Sequence, residues 1–141
     1  MSARIAFDEV EVGTELPPLS VPLQRVNLIM YAGASGDYNP VHTDEVFATK
    51  VAGYPTVFAH GMLSMGATGR MLTNWVGDGR LTKYGVRFVA QVWPGDSLTA
   101  RAVVDAIRNE NGVALADLTV VTVNQDGKEV VSGYACARLD P

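Results

Sequence analysis

The chain has 141 residues, of which 48% are hydrophobic and 18% charged. That length suits one domain spanning 1–141 around one core, and the composition lies well outside the disordered range. Its 11 Lys and Arg are scattered among 15 Asp and Glu for a net charge of -4, which argues against a nucleic acid or an anionic membrane as partner. The single Cys136 excludes an intramolecular disulfide. The amino-terminal stretch has one Arg followed by acids and no apolar run, so no signal peptide and a cytoplasmic location are expected.

Turn signals at Gly13 and Pro17-Pro18 open the chain. Val26, Ile29, Met30 and Gly33 then recur at the three-and-four spacing of a helix face, which predicts a short helix from Gln24 to Ala34. Gly33, Gly36, Asn39 and Pro40 break that pattern, so Ser35 to His42 reads as a loop, the kind of segment on which a scaffold commonly builds a site. Asp44 can cap a brief helical turn through Phe47. After Tyr54-Pro55, the stretch Gly61 to Val76 is apolar on nearly every side and punctuated by Gly66 and Gly69. It is expected to be a helix enclosed by its own domain and stopped at Gly77-Asp78-Gly79. The longer window Pro55 to Val76 is interrupted by His60, Ser64, Arg70, Thr73 and Asn74, so it does not suit a bilayer span.

From Lys83 onward the period changes to two. Tyr84, Val86 and Phe88 share one face, and Pro94-Gly95-Asp96 closes the run. Leu98, Ala100, Ala102 and Val104 alternate with polar neighbours, and Asn109 to Gly112 turns the chain. Leu118, Val120 and Thr122 alternate again, Asp126-Gly127 makes another turn, and Val130 to Arg138 closes. A four-stranded antiparallel meander wrapped around one long buried helix, an α+β layout, is the economical arrangement. A small sheet of this kind often completes its burial in a dimer.

Two polar islands interrupt this apolar pattern, one from Ser35 to His42 and one at Ala59-His60-Gly61-Met62. Asp37 and His42 lie five positions apart in a segment bent by Gly36 and Pro40, so their side chains can converge. A carboxylate beside an imidazole is an acid/base pair, in which one group takes a proton from water while the other holds or gives one. Gly61 begins the long helix, where its N–H has no intrahelical acceptor and lies at the positive end of the dipole. It can therefore stabilise a developing oxyanion. Asn39 reads as a turn residue before Pro40, and His60 as a structural group that bonds a carbonyl at the helix entry.

The run Tyr31-Ala32-Gly33-Ala34-Ser35-Gly36-Asp37-Tyr38-Asn39-Pro40-Val41-His42, with Phe47-Ala48 and Ala59-His60-Gly61-Met62 after it, resembles the hydratase-2 motif and following helix start of MaoC-like (R)-specific enoyl-thioester hydratases and (3R)-hydroxyacyl-thioester dehydratases. The similarity extends through Gly85-Val86-Arg87-Phe88 and Val92-Trp93-Pro94-Gly95-Asp96, and its most specific part is Gly-Asp-x-Asn-Pro-x-His. The resemblance implies the hot-dog fold and the addition of water across a trans-2-enoyl thioester to give the (3R)-hydroxyacyl thioester, or the reverse, with no metal and no organic cofactor. Carried over by position, Asp37 and His42 would hold and activate the water, Asn39 would orient the pair, and the Gly61 N–H would bind the thioester oxygen. The implied substrate is an acyl-CoA or acyl-carrier-protein thioester, and the implied assembly is a homodimer or a heterodimer with a second hot-dog subunit. One position departs from the pattern. Some short members carry, eight residues after the motif glycine, a serine that supports the aspartate, and here that position is Gly69. The role is then vacant or falls to Ser64 or Thr68, and in this the chain resembles the catalytic subunits of (3R)-hydroxyacyl-acyl-carrier-protein dehydratases.

Other chemistries fit less well. His42, Asp44, Glu45 and His60 lack a metal-ligand spacing such as His-Glu-x-x-His. Ser64 stands one residue too far from Gly61 for a Gly-x-Ser-x-Gly elbow, and no glycine fingerprint for a nicotinamide or flavin is present. Met62, Met65 and Met71 read as core packing. Two alternatives remain open: a hot-dog acyl-thioester hydrolase, and a non-catalytic acyl-thioester-binding partner subunit.

Overall fold

The computed structural model describes residues 5–140. Residues 1–4, part of the stretch read above for a leader, and residue 141 lie outside the described residues. No helix among the described residues is long and apolar enough to cross a membrane.

The first strand, β1, spans Leu19–Pro22. It escapes the period-two reading because it is four residues long and carries a proline, which only an edge strand tolerates. Helix α1 spans Arg25–Ser35 and ends where Gly36 turns left-handed at φ 75° and its N–H bonds the Ala32 carbonyl. Its buried side carries Leu28 and Ala32. Val26, Ile29 and Met30, whose spacing announces the helix, face outward at 56%, 56% and 66% exposure.

The stretch expected as a loop from Ser35 to His42 is shorter. Ser35 closes α1, and Pro40–Thr43 forms a single helical turn, α2. The cause is local: Asn39 Oδ1 accepts from the Val41 N–H at 3.2 Å, and Pro40 occupies the first helical position, where its missing N–H costs nothing. Asp44 Oδ1 caps the Phe47 N–H as expected, but the chain continues into a π-helical turn, Phe47–Val51.

Helix α3 spans Gly61–Val76, with the Gly77 N–H bonded to the Thr73 carbonyl. The sheet covers one long side of it, burying Ser64, Thr68, Met71, Leu72 and Val76. The expectation of a fully enclosed helix is corrected by Met62, Gly66, Arg70 and Asn74, an exposed stripe repeating every fourth residue. The glycine at 66 and the polar residues at 70 and 74 mark that side.

Four further strands follow: β2 (Leu81–Phe88), β3 (Ser97–Glu110), β4 (Val113–Val123) and β5 (Glu129–Arg138). The sheet is five-stranded with order β1-β3-β4-β5-β2. β3, β4 and β5 form the expected meander, and Leu98, Ala100, Ala102, Val104, Leu118, Val120 and Thr122 are all buried in it. β2 corrects the expected order. It lies on the far edge, antiparallel to β5 with Val86 opposite Gly133, so the chain crosses from one edge toward the other before β3 begins. β1 takes the remaining edge, with Leu19 opposite Ala100.

The core divides in two. One cluster gathers Met71, Leu72 and Val76 of α3 against Ala100, Ala102, Val104, Leu118 and Val120. The other holds Leu23, Leu28, Ala48, Val57, Ala59, Val92, Leu98, Val130 and Val131, and the polar islands belong to segments anchored in it.

Candidate active site

Asp37 sits in the bend between α1 and α2. Its N–H donates to Ser35 Oγ at 3.1 Å, and its Oδ1 accepts from the Asn39 N–H at 3.2 Å, an Asx-turn that aims the carboxylate. Asn39 in turn caps α2, so a single residue shapes the bend and starts the turn that carries His42. The signal for this was legible: Asn before Pro is a cap residue followed by the favoured first helical residue.

His42 is buried on α2 with Nδ1 2.6 Å from the Phe58 carbonyl oxygen. A carbonyl can only accept, so Nδ1 carries the hydrogen and Nε2 keeps its lone pair. The Phe58 N–H returns to the Val41 carbonyl at 3.2 Å, which straps the two segments together. Nothing in the sequence could have singled out the Phe58 carbonyl, because any residue supplies one. Burial lowers the His42 pKa below the ordinary histidine value, and the neighbouring His60 adds to this. The Phe58 bond and the Asp37 charge pull the other way.

His60 precedes α3 and is 1% exposed. Its Nε2 lies 3.0 Å from the Asp37 carbonyl oxygen, the role expected for it. Its ring stacks on His42 with centroids 4.0 Å apart and planes at 29°. A carboxylate oxygen of Asp37, a ring nitrogen of His42 and a ring nitrogen of His60 lie within 4.8 Å of one another. The five-residue separation therefore converges. His42 Nδ1 and His60 Nε2 are each committed to a carbonyl, which leaves one ring nitrogen on each histidine beside the Asp37 carboxylate.

Gly61 is the first residue of α3, where its N–H has no acceptor within the helix. A Cβ there would stand 2.9 Å from the Phe88 ring, so the glycine is what allows Phe88 to lie across the helix start. The sequence marks Phe88 as a strand-face residue within the Gly85-Val86-Arg87-Phe88 stretch, with no signal that it meets Gly61. A cavity of about 300 Å³ opens beside it, lined by Phe58, Gly61, Ser64, Phe88, Val92 and Val130 among others. Asp37, Asn39 and His42 do not line this cavity in the single chain; Gly61 joins them through His60, its neighbour in sequence.

The position of Gly69 also has a packing cause. A Cβ there would stand 3.1 Å from the Tyr84 ring, and the Tyr84 hydroxyl donates to the Met65 carbonyl at 2.7 Å. Burial pushes the Tyr84 phenol up to about 12. Thr68 turns toward the sheet, donating to the Ser64 carbonyl at 2.9 Å and pairing with Thr122 Oγ1 at 2.6 Å. The Asp37 carboxylate is held by the Asn39 N–H, and Ser35 and His60 hold its main chain.

An antiparallel sheet packed along one long helix, with a carboxylate and an imidazole grouped at the helix start, defines a hot-dog architecture. Residues 9–125 match the MaoC like domain, and the chain belongs to that family. It is 30% identical over 131 residues to the (R)-specific enoyl-CoA hydratase of Rhodospirillum rubrum, covering 92% of this chain and 88% of that protein. It is 36% identical over 84 residues to 3-hydroxyacyl-thioester dehydratase Y of Mycobacterium tuberculosis, covering 57% of this chain and 29% of that protein. Several other curated relatives are also longer proteins, of which the chain spans 38% or less. Among solved structures, the unliganded R-hydratase PhaJ1 from Pseudomonas aeruginosa superposes with a TM-score of 0.85 at 28% identity, covering 98% of this chain and 88% of that one.

Proposed function

We propose that the protein catalyses the reversible addition of water across trans-2-enoyl thioesters to give (3R)-hydroxyacyl thioesters. The observation that carries this reading is the grouping of Asp37 and His42 within 4.8 Å, with the His42 Nδ1–H committed to the Phe58 carbonyl and Nε2 left to exchange a proton. In the hydration direction the pair holds a water between them. One member takes a proton as the water oxygen bonds to C3, the C2–C3 π electrons move toward the thioester, and a proton is delivered to C2. The enolate-like oxygen formed on the way is stabilised by the Gly61 N–H at the positive end of α3. Asn39, through its cap of α2, orients His42. Dehydration is the same path in reverse.

The similarity to the hydratase of Rhodospirillum rubrum over most of both chains supports the reaction class. We take the substrate to be a CoA or acyl-carrier-protein thioester met in the cytoplasm, and the working form to be a homodimer or a heterodimer with a second hot-dog subunit. The reading is tested by following loss of enone absorbance when the protein meets trans-2-enoyl-CoA esters of short and long chain, with chiral analysis of the product. (R)-product from the wild type, formed at least about a hundredfold more slowly by Asp37→Asn, is the expected result. Full turnover in Asp37→Asn, or release of free thiol in place of hydration, would overturn it.

A further inference from the structure

Among the described residues, one buried side-chain polar atom has no hydrogen-bond partner: Nδ1 of His60. Buried orphans are uncommon and call for a reason. Nε2 of the same ring faces the Asp37 carbonyl oxygen at 3.0 Å, which assigns the hydrogen to Nε2 and leaves Nδ1 as the lone pair. A carbon side chain of the same shape would fill the space and remove the orphan. What it could not do is hold Asp37.

The surroundings of the ring show what that hold involves. One face lies on the His42 imidazole at 4.0 Å, and the Tyr31 ring from α1 meets it nearly edge-on at 4.8 Å. His60 therefore touches the main chain that carries the carboxylate and the ring that opposes it, from the residue directly before Gly61. We propose that His60 is a positioning residue that sets the spacing between the Asp37 carboxylate and the His42 imidazole and ties both to the start of α3. It takes no proton from the substrate. The proposal rests on the hydratase reading for its kinetic consequence only, since the spacing itself can be read without turnover.

The experiment uses two replacements that divide the functions of the ring. His60→Phe keeps an aromatic ring against His42 but cannot donate to the Asp37 carbonyl. His60→Gln keeps an amide donor at the reach of Nε2 and loses the stacked ring. In the full-length protein, His60→Phe is expected to lower kcat about a hundredfold, the scale of an ångström of misplacement, with KM for the enoyl thioester changed less than about threefold. His60→Gln should recover roughly a tenth or more of wild-type kcat. Equal loss in both variants, tracking only their thermal stability, would overturn the proposal.

The second readout is the pH titration of the His42 ring followed by NMR. The groups facing His42 are Asp37, His60 and the Phe58 carbonyl, with Tyr31 behind His60. The Asp37 charge raises the His42 midpoint, so Asp37→Asn should lower it in the wild-type background. In the His60→Phe background the same substitution should shift the midpoint less than half as far. An equal shift in both backgrounds sinks the proposal. If His60→Phe does not fold, His60→Ala supplies the same cycle without added bulk. Absence of any hydration would count against the reaction and leave this titration to decide His60.

Discussion

The two ends of α3 lie in different kinds of core. Around its last turns, Met71, Leu72 and Val76 meet Ala100, Ala102, Val104, Leu118 and Val120, which are apolar side chains from regular strands. Around its start the apolar set is drawn largely from connecting segments, including Leu23, Ala48, Val57, Ala59 and Val92, and it supports the polar group of Asp37, His42 and His60. Between them the hydroxyls of Thr68 and Thr122 pair at 2.6 Å. The contrast separates where stability is held from where geometry is set. Side chains packed between the helix and regular strands hold the fold, whereas connecting segments packed together through residues such as Ala59 and Val92 present a carbonyl or a bend to the site.

Substitutions on either side should therefore move different observables. The largest effect belongs to Asp37→Asn, expected to cut turnover by about a hundred- to ten-thousand-fold while Tm stays within a few degrees; a collapse of Tm would blur the division. Leu118→Ala, in the cluster at the other end, should destabilise the fold by about 2–5 kcal/mol in denaturant titration and leave kcat per folded molecule unchanged. Gly69→Ser should displace the Tyr84 ring, from which its Cβ would stand 3.1 Å, and change the stability measured by denaturation less than Leu118→Ala does. It should not raise activity, since the Asp37 carboxylate is already held by the Asn39 N–H and its main chain by Ser35 and His60.

The smallest effect concerns pH. If the neutral His42 imidazole is the form that accepts the proton, its lowered pKa keeps hydration intact below the ordinary histidine value of 6.5. The acid limb of kcat/KM then falls below that point. The sign for stability is the same: the unfolded chain binds the proton first as pH drops, so the His42 contribution is present above the unfolded value and lost below it. An acid limb above 6.5 would show that another group controls the profile.

Much of this was legible in the residues. α3 could be bounded at Gly61 and Val76 because glycines flank a mostly apolar stretch, β3 and β4 could be placed because each alternates with a period of two, and β5 followed from the turn at Asp126-Gly127 before it. β1 was not, since four residues carry too short a period and Pro22 argues against a strand everywhere except at an edge. The order of β2 was not legible either, because pairing across a sheet depends on contacts far apart in sequence. For α1 the periodicity found the helix, yet Leu28 and Ala32 rather than Val26, Ile29 and Met30 face inward. At the site, the convergence of Asp37 and His42 followed from the bend between them. The Phe58 carbonyl and the stack of His60 on His42 had no residue-level signal, as one is backbone and the other a meeting of two distant segments.

The two margins of the sheet differ as joining surfaces. β1 is four residues long and ends in Pro22, which has no N–H to offer a newcomer. β2 is eight residues long without a proline, and among the described residues it pairs with β5 alone. One margin is stoppered and the other open. Two copies meeting antiparallel along β2 would consume both open margins at once and leave only stoppered ones outward. The same short proline-ended strand that hides from a reading of periodicity would thus disfavour growth of such an assembly beyond two.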